Sequence, residues 1–179
     1  SFIRSKYDCI LSTYKSVNKD NSKLDCRLDG IKHLSPARVI IDKDLKLKKK
    51  LDLYDRSSVI PTFIITSKNN KKKEIYFKKN NIKILKINTN TKHFKIEQVL
   101  SLLKKRGFSR ILCEAGLFTT KNLLKKNLIN NLYVFKSSNK LFNKGKNSYK
   151  NVIKKFKLNN KNKINVNLNG DELYKIRIK

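Results

Sequence analysis

Short apolar runs recur along the chain at Cys9 to Leu11, Val39 to Ile41, Phe63 to Ile65, Ile82 to Ile87, Ile111 to Cys113 and Leu132 to Phe135. Most are continuous rather than alternating, the pattern of strands buried on both faces. Between two of them, Ile96, Val99, Leu100 and Leu103 fall at helical spacing, and Gly107 follows as a C-terminal stop, so the spacing predicts a helix over Ile96 to Arg106. A second helix is expected from Gly116 to about Lys126, with Leu123 and Leu124 inward and Asn130-Asn131 ending it. Strand, helix, strand, helix, strand is the order of an α/β unit with parallel strands. The last third changes character. Phe156 to Leu158, Ile164 to Leu168 and Leu173 to Ile178 alternate apolar and polar residues, and Asn169-Gly170 is a strong hairpin signal. An antiparallel hairpin is therefore expected to close one edge of the sheet. No repeat and no Pro/Gly/Ser linker divides the chain, so residues 1–179 read as one domain.

The length of 179 residues suits a single domain. No run of about 18 uncharged apolar residues occurs, which excludes a membrane-spanning helix, and no secretory signal opens the chain. Cys9, Cys26 and Cys113 are too few and too widely spaced for a disulfide scaffold or a paired-cysteine zinc site, and a reducing, cytoplasmic setting fits them. Methionine is absent, so Ser1 is expected not to be the translational start and the chain to belong to something longer.

Lys and Arg number 44 against 13 Asp and Glu, a formal charge of +31. Such a charge places nucleic acid among the partners to consider. Only seven of the 44 are arginine, however, although arginine supplies the forked contacts to bases and phosphates. Lysine, asparagine and isoleucine rise together along the whole chain, which reads as compositional bias rather than a binding face. Lys46 to Lys50 and Lys71 to Lys73 are expected in solvated connections.

Two segments carry candidate chemistry. Arg110 to Thr120 reads as a strand ending in acidic Glu114, then Gly116, then Thr119 and Thr120 in the first turn of a helix. Glycine admits a phosphate close to the backbone, and helix amides with threonine hydroxyls could hold a nucleotide pyrophosphate. On chemistry alone the simpler reading stays favoured: a tight turn at Gly116, capping threonines and a capping carboxylate at Glu114. In the second segment, Arg4 and Arg27 flank the strand Tyr7 to Ser12 and a polar loop from Ser16, a weak signal for a phosphorylated ligand. His33 and His93 have no metal-ligand partner at useful spacing, so no metal site is expected. Cys9 and Cys113 read as inert core thiols.

The segments together resemble the C-terminal reductase domain of the bifunctional riboflavin biosynthesis deaminase-reductase. That family opens near an arginine, followed by a "D-A-I-L" strand and a "T-V-x-x-D-D-P-x-L-T-x-R" loop. Here stand Arg4, Asp8-Cys-Ile-Leu11 and Ser16-Val-Asn-Lys-Asp20-Asn-Ser-Lys-Leu24-Asp-Cys-Arg27. Pro36-Ala-Arg-Val-Ile-Ile-Asp42-Lys43 matches "P-x-R-V-V-L-D-S", Leu112-Cys-Glu114-Ala-Gly116-Leu-Phe-Thr119 matches "L-V-E-G-G-x-x-L", and Asn127 to Phe135 matches "G-L-V-D-E-L-x-x-Y".

The resemblance implies an α/β, dihydrofolate reductase-like three-layer fold, mostly parallel, with helices on both faces and a C-terminal antiparallel hairpin. It implies an NADPH-dependent reductase turning the ribosylamino chain of a phosphorylated pyrimidinedione into a ribitylamino chain. It sets Ser16, Asp20 and Lys43 beside the cofactor, with Gly116, Leu117, Phe118, Thr119, Thr120, Lys121 and Asn122 as the pyrophosphate turn and helix. Arg4, Leu24, Arg27 and Glu114 would line the substrate side, Asp20 or water would donate a proton, and Glu114 would hydrogen-bond the substrate. Partners implied are a second copy of the chain and an N-terminal deaminase domain. The chain departs from the family at Asn21-Ser22, where Asp-Pro is usual, and at Asn130-Asn131, where Asp-Glu is usual. A basic nucleic-acid binder and a non-catalytic relative are the competing readings.

Overall fold

Five of the six continuous apolar runs pair side by side. β1 (Cys9–Thr13), β2 (Ala37–Ile41), β3 (Thr62–Thr66), β4 (Ile82–Lys86) and β5 (Ile111–Cys113) form a wholly parallel sheet in the order β4-β3-β2-β1-β5. Leu11 lies opposite Val39 on one side and Cys113 on the other. Ile10, Ile40 and Ile64 point to one face; Cys9, Leu11, Val39 and Ile65 point to the other; all seven are 0% exposed. Both faces are therefore covered, which is why these strands read as unbroken hydrophobic runs rather than alternating ones.

The computed structural model describes residues 1–138, 160–166 and 168–179. It comprises two compact units, 1–116 and 117–179.

In the first unit, the Ile10 face packs against Val17 of α1 (Tyr14–Asp20), Phe77 of α2 (Lys71–Lys79), and Leu45, Leu47, Leu51 and Leu53 from the irregular connection after β2. Buried Asp42 organises that connection by accepting the amides of Lys46 and Leu47, each at 2.7 Å. The expected amphipathic helix is α3 (Ile96–Lys105), with Ile96, Val99 and Leu103 buried. Gly107, at φ +86°, ends it: its amide returns to the Lys104 carbonyl and that of Phe108 to the Leu103 carbonyl, the paired bonds of a Schellman turn.

Two helices occupy stretches expected to be loops. α1 begins where Thr13 accepts the Ser16 amide and ends at Asn21 in the left-handed region, so the polar Ser16 to Arg27 stretch is helical in its first part. In α2, Asn70 caps the Lys73 amide while the Glu74 carboxylate accepts the Asn70 amide, and Lys78 and Lys79 complement the C-terminal dipole. Lys71 to Lys73 thus open a helix rather than a solvated connection, and the Lys73 ammonium donates to the Leu45 carbonyl. The Lys46 to Lys50 run does lie in a connection, with Leu47 buried in its midst.

In the second unit, α4 (Gly116–Lys125, its first residue belonging to unit one) stops at left-handed Asn127 rather than at Asn130-Asn131. The Asn127 and Leu128 amides return to Leu124 and Leu123, a second Schellman turn with asparagine in the glycine place. β6 (Asn131–Lys136), β7 (Lys163–Ile164) and β8 (Glu172–Arg177) form an antiparallel sheet in the order β6-β8-β7. Asn169 (φ +51°) and Gly170 (φ +91°) make the expected hairpin turn, closed by the Asp171 amide on the Leu168 carbonyl. Two expectations are corrected. The hairpin does not close the parallel sheet, and the 132–135 run is not one of its strands. β6 pairs along all six residues with β8, and Val134, Tyr174 and Ile176 bury one face between them, the one-sided burial typical of antiparallel pairs. The ladder on the β7 side ends at Ile164, short of Leu168. The run Phe156 to Leu158 lies outside the described residues.

Candidate active site

From β1 the sheet extends through β2 and β3 to β4, whereas β5 joins the other side of β1. β1 is thus the strand at which the strand order reverses, and open parallel sheets bind ligands beyond the carboxyl ends of the strands at such a place. The Ser12 hydroxyl, 1% exposed, donates to the Glu114 carbonyl at 3.0 Å, and the Glu114 amide donates to the Leu11 carbonyl at 2.9 Å. These bonds carry the pairing of β1 with β5 one residue beyond the strand. Two residues later Gly116 turns with φ +70°, a conformation side chains resist. A Cβ at this position would lie 3.9 Å from the Ser16 Oγ, so Gly116 and Ser16 are neighbours at the carboxyl ends of β5 and β1.

Ser16 is fixed by Thr13, whose hydroxyl lies 3.2 Å from its own. Asp20 follows four residues later, on the same side of α1, and is exposed. Lys43 leaves the carboxyl end of β2; its carbonyl accepts the Thr66 hydroxyl and the Ser67 amide, and its ammonium lies 3.7 Å from Asp44. Asn21, where the family has aspartate, has a structural job: its amide group exchanges two hydrogen bonds with Asp52, at 2.7 and 2.9 Å, from a left-handed backbone that asparagine tolerates.

On the other side of Glu114 stands Arg4. Its Nε and Nη2 donate to the two carboxylate oxygens at 2.9 and 2.8 Å, and its Nη1 donates to the Asp25 carbonyl at 2.8 Å. The hydrogen bonding to Glu114 raises the Arg4 pKa above its already high value, against the opposing effect of burial. Both Glu114 oxygens accept from the one guanidinium, a bidentate geometry that fixes the direction of the carboxylate. Arg27 is exposed and donates from Nε to Asp25 at 3.3 Å. Leu24 does not line a surface: it is 3% exposed, within the core, at φ +52°.

Sequence reasoning passed over three residues here. Asp25, with a side chain 5% exposed, also accepts from Arg56 Nη1 at 3.5 Å. Arg38 is completely buried in β2, its Nε on the Thr62 hydroxyl and its Nη1 on the Lys23 carbonyl, while Nη2 has no hydrogen-bond partner among the described residues. Burial lowers its pKa to about 10. The scarcity of arginine was the available signal: Arg4, Arg27, Arg38 and Arg56 are four of seven in the chain.

Along α4, Thr119 is buried, Leu117, Thr120 and Asn122 are half-buried, and Phe118 and Lys121 are exposed. The thiols fit core packing. Burial pushes Cys9 up to about 12 and Cys113 to about 11, far from a thiolate at neutral pH.

Comparison with known proteins places this geometry. The chain is similar over 97% of its length to the structure of RibD from Acinetobacter baumannii, at 16% identity and TM-score 0.69, covering 48% of that protein. It is similar over 98% to a diaminohydroxyphosphoribosylaminopyrimidine deaminase/5-amino-6-(5-phosphoribosylamino)uracil reductase from Thermotoga maritima, at 21% identity and TM-score 0.66, covering 46% of it. A pyrimidine reductase-like protein from Corynebacterium diphtheriae matches over 98% of the chain and 77% of its own length, at 16% identity and TM-score 0.68. The chain thus spans about half the length of the first two. No curated protein matches it significantly. These likenesses establish the dihydrofolate reductase-like fold. The model of the RibD C-terminal domain matches residues 2–141, most of the chain, and the chain belongs to that family.

Proposed function

We propose that the chain is the reductase of riboflavin biosynthesis, reducing 5-amino-6-(5-phosphoribosylamino)uracil to its ribitylamino product with NADPH. The observation that carries this reading is the meeting of two motifs at the carboxyl ends of neighbouring β1 and β5, where Gly116 at positive φ lies beside Ser16 and an added Cβ would come only to ordinary contact distance of the serine hydroxyl. The residues present fit a dinucleotide: a backbone turn without a side chain, a hydroxyl beside it, and Lys43 beyond β2 as a point charge for a 2′-phosphate. The residues Leu117 to Asn122 that follow Gly116 keep the pyrophosphate role their motif implies. These residues would hold NADPH, which when bound would supply the hydride that reduces the sugar C1 carbon.

This chain's own residues bind and orient. Arg4 holds Glu114 so that the carboxylate keeps one direction toward the substrate, and Arg27 supplies a fork for the 5′-phosphate. Asp20, exposed and one helical turn from Ser16, or water, supplies the proton. Residues 1–179 act as one reductase domain, in keeping with a family match that runs across both units. A second copy of the chain, an N-terminal deaminase domain and a cytoplasmic setting complete the reading; among the described residues, no helix is long and apolar enough to cross a membrane.

The test is fluorescence titration with NADPH at low and moderate salt, with NADH and a short oligonucleotide as comparators. Saturable binding that prefers NADPH, survives moderate salt and weakens in Gly116→Val is the expected result. Absence of saturation by NADPH, with oligonucleotide binding on a steep salt slope, would sink the proposal.

A further inference from the structure

Asp25 stands where the family loop has threonine, so its carboxylate is a feature of this chain. It is nearly buried, and it holds a different guanidinium on each oxygen: Arg27 on Oδ1 at 3.3 Å and Arg56 on Oδ2 at 3.5 Å. Its backbone carbonyl holds a third, Arg4. Wholly buried Arg38 adds positive charge within electrostatic range of both Asp25 and Arg56. Arg4 is balanced by Glu114, which leaves Arg27, Arg38 and Arg56 sharing the one carboxylate, a local excess of two positive charges. Arg27 is 61% exposed and Arg56 34%. Each touches Asp25 through a single nitrogen, and among the described residues neither guanidinium has another side-chain partner. Each guanidinium thus keeps donors beyond the one on Asp25, on a side chain that solvent reaches, beside a charge excess that one dianion would neutralise.

We propose that Asp25 is a positioning residue that holds Arg27 and Arg56 as a paired clamp for the phosphate of the pyrimidine substrate, with Arg56 a second phosphate ligand. The proposal rests on the reductase reading, because it takes the substrate to be phosphorylated. A lone exposed arginine loses side-chain entropy on meeting a phosphate, whereas a pair tethered to one buried carboxylate is already oriented. The carboxylate does not compete with the ligand, since its tethers use one nitrogen of each fork.

The test is calorimetric titration of the full chain with 5-amino-6-(5-phosphoribitylamino)uracil and with the same compound lacking the phosphate, at constant ionic strength. The ratio of the two affinities isolates the phosphate contribution from folding and from ring recognition. Wild type is expected to prefer the phosphorylated compound. Arg56→Gln is expected to reduce that preference about ten-fold, the loss of one charge-assisted ligand, and Asp25→Asn about as much by freeing both forks. Arg106→Gln, which removes one exposed positive charge from the end of α3, is expected to leave it unchanged. Arg56 is partly exposed, so its variant reports even if the Asp25 variant fails to fold. An unchanged preference in Arg56→Gln overturns the clamp while leaving the reductase reading intact. A wild type that binds NADPH and both pyrimidines equally overturns the clamp together with the phosphorylated substrate. A wild type that binds neither NADPH nor pyrimidine overturns the reductase reading on which the clamp rests.

Discussion

The ion pair between Arg4 and Glu114 is the most quantitative test of the site. The two side chains are 19% and 31% exposed and meet through two parallel bonds of 2.9 and 2.8 Å. Fully exposed pairs contribute about 0.2–1 kcal/mol, because water screens them and two long side chains must be immobilised. Hydrogen bonds to charged groups contribute about 1.5–3 kcal/mol when water is kept away. A bidentate pair of intermediate exposure should couple by about 2 kcal/mol. The assay is a double-mutant cycle with Arg4→Ala, Glu114→Ala and the double variant, each unfolded in urea and followed by circular dichroism. Arg4→Ala should be the more damaging single change, since it also removes the bond to the Asp25 carbonyl that ties the first turn to the 21–31 segment. In a chain of this size each kcal/mol corresponds to about 2–4 °C in melting temperature, so the single variants should melt visibly lower. Because the pair is half-buried, the coupling should persist at moderate salt. A coupling below about 0.5 kcal/mol would mean that the pair behaves as a surface contact and cannot fix the direction of Glu114.

Gly116→Ala should cost about 1–2 kcal/mol by thermal denaturation from its left-handed backbone alone, since the added Cβ meets only Ser16 at an ordinary contact distance; an unchanged melting temperature would remove the argument for glycine. Asp42→Asn replaces an acceptor of one of two short amide bonds with a donor, and should cost about 1–3 kcal/mol and speed hydrogen exchange at Lys46 and Leu47. In the second unit, bonds from Lys163, Lys136 and Tyr174 draw the Glu172 carboxyl down to about 2. A carboxyl held below its unfolded value of about 4.3 stabilises the fold above that value, and the contribution is lost as pH falls toward 2. Protection of the β8 amides, taken relative to the intrinsic exchange rate at each pH, should therefore fall between about pH 4 and pH 2 in wild type and lose that dependence in Glu172→Gln; identical profiles would refute the assignment.

What could be read from sequence follows from how many residues each element buries. β1, β2 and β3 each bury several consecutive residues, so their signal survives a lysine-rich background. α3 buries three residues at helical spacing and was equally legible. α1 and α2 each bury one, Val17 and Phe77, and are held instead by caps at Thr13 and Asn70. A single buried residue has no period to detect, so these helices hid inside polar stretches. The exchange of β6 from the parallel sheet to the hairpin was hidden for a different reason: Leu132 to Phe135 is apolar enough to suit either sheet, and only pairing with β8 decides. Within the candidate site, Ser16 and Gly116 were legible because each follows a continuous apolar run, Cys9 to Leu11 and Ile111 to Cys113. Asp25, Arg38 and Arg56 were not, since their convergence joins residues up to 31 positions apart.

The same arginines bear on the charge of the chain. Six of the seven have their guanidinium groups engaged internally: Arg4 with Glu114, Arg27 and Arg56 with Asp25, Arg38 with Thr62, Arg110 with Asp8, and Arg177 with the Lys179 carbonyl. The forks are used where planar geometry matters, and most of the surface charge is carried by lysine, a point charge without directional demand. Such a surface attracts polyanions through counterion release and reads no sequence. Oligonucleotides of equal length but different sequence should accordingly bind alike, and their affinity should fall steeply as salt rises. NADPH, held by backbone and a few placed side chains, should lose far less over the same range. Equal salt slopes for the two ligands would mean that both are held by diffuse charge, and the Gly116 turn would then have no claim to the cofactor.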